Sequence, residues 1–162
     1  MKFLARDLSV NSSRSSSTLA RVFTALGVAL MAHSANAATL VVEVSNLETN
    51  EGKLNIAIYD SKKTWLDDED MVDKQQLEVP EHYQDGSITT SFELPPGEYA
   101  ISVHHDANDN GKMDTKIFPP IPKEPVGASN DAEPGFGPPK YKDAKFDLGE
   151  DGLTMPIRLM TY

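Results

Sequence analysis

The sequence predicts an all-β chain, an antiparallel β-sandwich of about seven strands with one short helical turn and a long Pro-rich loop. Three observations predict it. Apolar residues recur with a period of two rather than 3.6, as half-buried strands require. Turn signals containing Gly, Pro, Asn or Asp separate the runs. Finally, 39% of the 162 residues are hydrophobic, which is enough for one core in a chain of single-domain length. A closed barrel would use the same pattern and stands as the alternative architecture.

The first element is a leader rather than a strand. Lys2, Arg6, Arg14 and Arg21 form a basic lead, interrupted by a polar run at 11–18. An apolar stretch of 11 residues follows at 22–32, then Ala35-Asn36-Ala37, an A-x-A cleavage pattern. That order reads as a secretory signal peptide over 1–37, with a single mature domain over 38–162. The stretch is too short for a transmembrane helix, which needs roughly 20 residues. An amphipathic anchor or transit peptide is the competing reading. No Cys follows the cleavage pattern, so a lipoprotein anchor is excluded. The expected location is periplasmic or secreted.

In the mature chain, Leu40, Val42 and Val44 alternate with Val41 and Glu43, and Leu54, Ile56 and Ile58 with Asn55, Ala57 and Tyr59. Asp60-Ser61 ahead of residues 62–66 reads as a capped helical turn anchored by Trp65. A weaker strand signal runs over 75–80. Ile88, Thr90, Phe92 and Leu94 alternate again, as do Tyr99, Ile101 and Val103. Near the end come Ala144, Phe146 and Leu148, then Leu153, Met155, Ile157 and Leu159. The turns between them are Asn50-Glu-Gly52, Asp85-Gly86, Pro95-Pro-Gly97 and Gly149-Glu-Asp-Gly152. The segment 118–141 holds seven of the 11 prolines and cannot sit inside a paired sheet, because Pro lacks the N–H a ladder needs. Its aromatics Phe118, Phe136 and Tyr141 suggest an ordered flap over the sandwich.

Charge and composition exclude several functions. The chain has 15 Lys+Arg, 25 Asp+Glu and no Cys, a formal charge of −10. Setting aside residues 1–37 removes four basic residues and Asp7, which leaves −13. Nucleic acid is excluded as a partner, because phosphate binding needs clustered Lys and Arg. The lack of Cys excludes disulfides, thiolate metal sites and a Cys nucleophile. Five acids within 67–73 read as a solvated connecting loop.

The sharpest motif is Asp106-Ala-Asn108-Asp-Asn110-Gly111-Lys112-Met-Asp114. Oxygen-bearing side chains stand at loop positions 1, 3, 5 and 9, Gly at position 6 permits a sharp turn, and the Lys112 carbonyl falls at position 7. That is the spacing of the first nine positions of a Ca²⁺ loop, where a hard cation takes six to eight oxygens. Position 12 is Ile117 rather than a bidentate Glu, so the remaining oxygens must come from elsewhere. Glu124, Asp131 and Asp143 are the candidates. Asp109, at an even position, should point away. The expected cofactor is Ca²⁺, held by Asp106, Asn108, Asn110, the Lys112 carbonyl, Asp114 and Glu124. An Asx-rich loop that bonds its own backbone explains the same residues without metal.

His104 and His105 precede the loop and face opposite sides of a strand. His105 shares a face with Tyr99, Ile101 and Val103 and is expected to be buried. A zinc or copper site joining one of them to His82 is a further alternative. No serine lies in a Gly-x-Ser-x-Gly elbow.

The runs Leu94-Pro-Pro-Gly-Glu-Tyr-Ala-Ile101, His105-Asp106-x-Asn108-x-Asn110-Gly-Lys-Met-Asp114, Pro122-x-Glu124-Pro-x-Gly127-x-Ser129-Asn130, Gly137-Pro-Pro139 and Asp143-Ala-x-Phe146 resemble a bacterial exported family, domain-of-unknown-function family 2141. The resemblance spans 39–160 and implies an Ig-like or transthyretin-like sandwich with no established activity. The Pro-Pro-Gly-Glu-Tyr-Ala segment is also similar to carboxypeptidase regulatory-like and collagen-adhesin repeat modules, which are accessories rather than catalysts. The expectation is a non-catalytic exported module that binds a protein or glycan ligand. The alternative is a metal-assisted hydrolase using His105, Glu124 and the 106–114 loop.

Overall fold

The computed structural model describes residues 37–118 and 121–162. The expected signal peptide, apart from Ala37, lies outside the described residues. Eight strands form: β1 (Ala38–Ser45), β2 (Lys53–Tyr59), β3 (Asp73–Glu78), β4 (Ser87–Leu94), β5 (Gly97–Asp106), β6 (Val126–Ala128), β7 (Phe146–Leu148) and β8 (Leu153–Arg158). Short helices α1 (Val79–His82) and α2 (Tyr141–Ala144) and a 3-10 turn at Ser129–Asp131 complete the fold. One sheet has the order β4-β1-β8; the other runs β3-β2-β5-β6, with β7 also on β5. The architecture is therefore a sandwich of two sheets and not a closed barrel.

Alternation does what the sequence pattern demands. In β1, Leu40, Val42 and Val44 are fully buried while Thr39, Glu43 and Ser45 face solvent. They meet Ile88 and Phe92 of β4 and Ile157 of β8 in one sheet, and Leu54, Ile56, Ile58, Ile101 and Val103 of the other. Each such side chain contributes about 1.5–3 kcal/mol by leaving water, so this layer dominates the stability.

The pairing is not wholly antiparallel. β8 runs parallel to β1, with Val42 opposite Met155. Parallel neighbours need a crossover, and here the crossover is the rest of the domain: the chain leaves β1, lays β2 and β3 in the second sheet, returns to place β4 beside β1, then adds β5, β6 and β7 to the second sheet before β8. The strand that sequence patterning does not reveal is β6, three residues inside the Pro-rich segment and too short for a period of two to register. Gly127 suits it, since a Cβ there would stand 2.8 Å from Ile157 Cγ2.

Three local boundaries also differ from expectation. The weak strand ends at Glu78, because Pro80 seats naturally in the first turn of α1. Ala144 belongs to α2 rather than to the following strand. Residues 62–66 form a hydrogen-bonded turn closed by Leu66 at φ 62°, with Ser61 Oγ 2.9 Å from Thr64 Oγ1. Among the described residues no helix is long and apolar enough to cross a membrane.

A second, smaller cluster lies on the outer face of β5. Ala100, Ala128, Ala132, Tyr141 and Ala144 pack there with half-buried Trp65. The Pro-rich segment is thereby tied to the sheet. Ser129 Oγ accepts the Ile101 N–H at 2.9 Å and donates to the Ala144 carbonyl at 2.6 Å, and the Trp65 indole N–H donates to the Pro139 carbonyl at 2.8 Å.

Candidate functional site

The site grows from the end of β5. Alternation sends His105 inward, where it is fully buried, and His104 outward. The His105 Nε2–H donates to the Glu51 carbonyl at 2.8 Å, and its Nδ1 has no partner. The His104 Nε2 lies 2.9 Å from Glu124 Oε2. The histidine that meets Glu124 is thus His104. A hydrolase built on His105 with Glu124 would need both on one cavity, and the pleat keeps them on opposite faces of the sheet.

Asp106 is 1% exposed and opens the loop. Its Oδ1 accepts the Asn110 N–H at 3.1 Å and its Oδ2 the Gly111 N–H at 2.8 Å. The carboxylate is held by backbone donors, and two left-handed residues, Asp109 (φ 53°) and Gly111 (φ 73°), let those donors turn back on it. The Asp106 carbonyl itself lies hard against Gly52 (φ 75°), where a Cβ would come within 2.1 Å of it. Asp109 points out of the loop to Lys53 Nζ at 2.9 Å, and its hydrogen bond and charge, with the Glu78 carboxylate at 3.6 Å, raise the Lys53 pKa.

The far side of the loop converges on Glu124, which is 5% exposed. Asn108 Nδ2 donates to Asp114 Oδ2 and to Glu124 Oε1, each at 3.1 Å. Asn110 Nδ2 donates to the same Asp114 oxygen at 3.1 Å, and the Asp114 N–H donates to Glu124 Oε2 at 3.0 Å. Lys112 enters through its N–H, which donates to Asn110 Oδ1 at 2.8 Å. Glu124 is brought there by pairing: its neighbour Pro125 accepts the His105 N–H at 2.9 Å, and the Asp114 carbonyl accepts the Lys123 N–H at 2.8 Å.

Of the residues the sequence singles out, Asp106, Asn108, Asn110, Lys112, Asp114 and Glu124 therefore share one hydrogen-bonded network. Asp131 and Asp143 stand apart: Asp131 Oδ1 accepts the Arg158 N–H at 3.0 Å, and Asp143 pairs with Lys142 at 2.9 Å. His82 lies on α1 with Nδ1 on the Glu78 carbonyl. Among the described residues no three His, Asp or Glu side chains are grouped so as to hold a metal by themselves. A cation here would depend on amide and carbonyl oxygens as well, as Ca²⁺ does. Both Asn amides now turn N–H toward the carboxylates; a half-turn about χ2 would present Oδ1 instead. The residue that sequence reasoning missed is His104. Its signal was present in the alternation that buries His105, because that places His104 on the side of the loop.

Comparison of the chain with curated proteins and with solved structures returned no match. Residues 42–155 match a family model described as an uncharacterized protein conserved in bacteria, DUF2141. The matched span runs from β1 into β8 and contains the 106–114 loop, His104 and Glu124. The chain belongs to this bacterial family, DUF2141.

Proposed function

We propose that this protein is an exported, non-catalytic β-sandwich module whose 106–114 loop is closed by Ca²⁺ and which binds a protein or glycan partner. The observation that supports the calcium part is a local excess of negative charge. Asp114 and Glu124 share one Asn108 amide, 3.1 Å from each; among the described residues neither has a Lys or Arg side chain as partner, and His104, 2.9 Å from Glu124 Oε2, is the one ionisable base beside them. Two carboxylates this close repel, and a cation with flexible oxygen coordination relieves the repulsion. The basic, apolar and A-x-A segments at 1–37 support export. If export occurs with cleavage, the mass of the protein recovered from the periplasm or medium begins at Ala38; an intact Met1 would remove that part of the proposal.

Three carboxylates with neutral amides fit the weak, extracellular class of affinity, on the order of 0.1–1 mM. A thermal melt in 5 mM Ca²⁺ against chelator tests it. Ligand at about ten times Kd stabilises the folded state by roughly 1.4 kcal/mol, a midpoint rise of about 5 °C. Asp106→Ala and Asp114→Ala should each abolish the rise, and Asp109→Ala should preserve it. A midpoint that stays constant from 0.01 to 5 mM Ca²⁺ sinks the calcium assignment.

A further inference from the structure

The outer face of the five-stranded sheet carries a cleft of about 1490 Å³. Register sets its floor. Lys74, Ala57, Ser102 and Ala128 form one row across the four strands, and the middle of that row is small, so the face is hollow there. Asn55 and Gln76 stand side by side in the next row. Tyr59 and Trp65 line one part of the cleft, the loop from Gly111 to Thr115 another, and the 134–139 segment a third. That segment is pinned where Ser129 and Pro139 bond to β5 and Trp65, yet Phe136 between them is fully exposed.

The chemistry of the lining narrows the occupant. Small-molecule pockets run to about 300–1,000 Å³, so a cleft of 1490 Å³ suits a segment of a longer ligand. The floor strands β2 and β5 are paired on both sides, so a ligand lying on the floor meets side chains and not unpaired backbone. Recognition there comes from side chains: the charged lining residues Asp68, Lys74 and Lys112 stand on the edge strand β3 and the loops, while Asn55, Ala57 and Ser102 on β2 and β5 are uncharged and His104 is bonded to Glu124. Gln76 Nε2 donates to Asn55 Oδ1 at 2.8 Å, which leaves Asn55 Nδ2 as a donor beside Gln76 Oε1 as an acceptor. A donor next to an acceptor matches neighbouring hydroxyls, and Ser102 adds a third such group. The wall is the Trp65 indole, set edge-to-face on Tyr59 at 5.2 Å and on Tyr141 at 6.0 Å. Its N–H is already committed to Pro139, so its contribution to a ligand is apolar ring surface. Sugar rings present hydroxyls at the rim and C–H groups on the face. A chain of −13 after removal of residues 1–37 repels polyanions.

We propose that this cleft binds a neutral oligosaccharide, with Asn55, Gln76 and Ser102 reading its hydroxyls and Trp65 packing on its ring faces. The proposal rests on the partner-binding part of the function above and narrows that partner to a glycan; it does not require the metal. Trp65 is the single tryptophan, so its fluorescence reports on this cleft alone. The purified protein is titrated, in Ca²⁺ and in chelator, with neutral oligosaccharides of glucose, xylose and N-acetylglucosamine, with heparin fragments and a proline-rich peptide as the contrasting ligands. A saturable change with a neutral glycan is expected, weakened at least tenfold in Asn55→Ala/Gln76→Ala and in Ser102→Leu. Circular dichroism and the melting midpoint establish that these variants are folded. The proposal is overturned if no neutral glycan binds, if only heparin or the peptide binds, or if the folded floor variants bind as tightly as the parent. Glycan binding lost while the calcium-dependent melt persists would overturn this inference alone; the reverse would overturn only the calcium loop.

Discussion

The two faces of the five-stranded sheet are cut from the same strands and built to opposite rules. On the inner face, Leu54, Ile56, Ile58, Ile101 and Val103 are at most 2% exposed and interlock with the other sheet. On the outer face, Asn55, Ala57, Ser102 and His104 are half-buried, small or polar, and leave a hollow. The adjacent histidines show the contrast most plainly. His105 is locked to a backbone carbonyl inside, while His104 joins a carboxylate at the edge of the cleft and the loop. One strand thus packs the core and lines the cleft at alternate positions, and a substitution on one face need not disturb the other.

The largest effect should come from the inner face. Ile101→Ala is expected to cost about 2–5 kcal/mol, whereas Ser102→Ala, one residue away, should stay within about 0.5 kcal/mol. Urea unfolding of the two variants measures this, and equal losses would erase the distinction between the faces. Next comes Ser129→Ala, which leaves the buried Ile101 N–H and one bond to the Ala144 carbonyl unmade. A loss of roughly 1–3 kcal/mol is expected, with faster amide exchange at Ile101. Unchanged exchange would show that the Pro-rich segment is anchored by something else.

The smallest effect is one of pH. Burial of Tyr141, with the Glu98 carboxylate beside its hydroxyl at 3.3 Å, pushes its pKa from 10.0 to about 12. The unfolded chain therefore releases this proton first. The tyrosine's contribution is complete below pH 10 and is lost as pH rises toward 12. Burial shifts Tyr59 in the same direction. Tyr141→Phe should make the alkaline fall in melting temperature shallower, and an identical fall would sink this assignment.

Much of the inner face could be read directly from the sequence, because alternation is a property of each strand's own pleat. The runs around Leu40, Leu54, Ile88, Ile101 and Ile157 declare their buried side without reference to a partner. The nine-residue spacing from Asp106 to Asp114 is local in the same sense, since a loop of that length is closed by its own Asn, Asp and Gly. Three Pro-rich-segment features were harder to read. β6 is too short to show a period, α2 interrupts an apparent strand, and the fold-back onto Trp65 depends on residues 74 positions apart.

By itself, then, the sequence determined which residues alternate, where the chain turns, and which oxygens stand at metal-loop spacing. Only the tertiary structure decided that β8 lies parallel to β1, that Glu124 rather than Asp131 or Asp143 closes the loop, and that His104 meets it. It also decided that the outer face and the Pro-rich segment line a cleft. The reason is physical. Periodicity and turn chemistry are set by bonds between near neighbours, whereas pairing direction, convergence and open space depend on which distant faces are buried together.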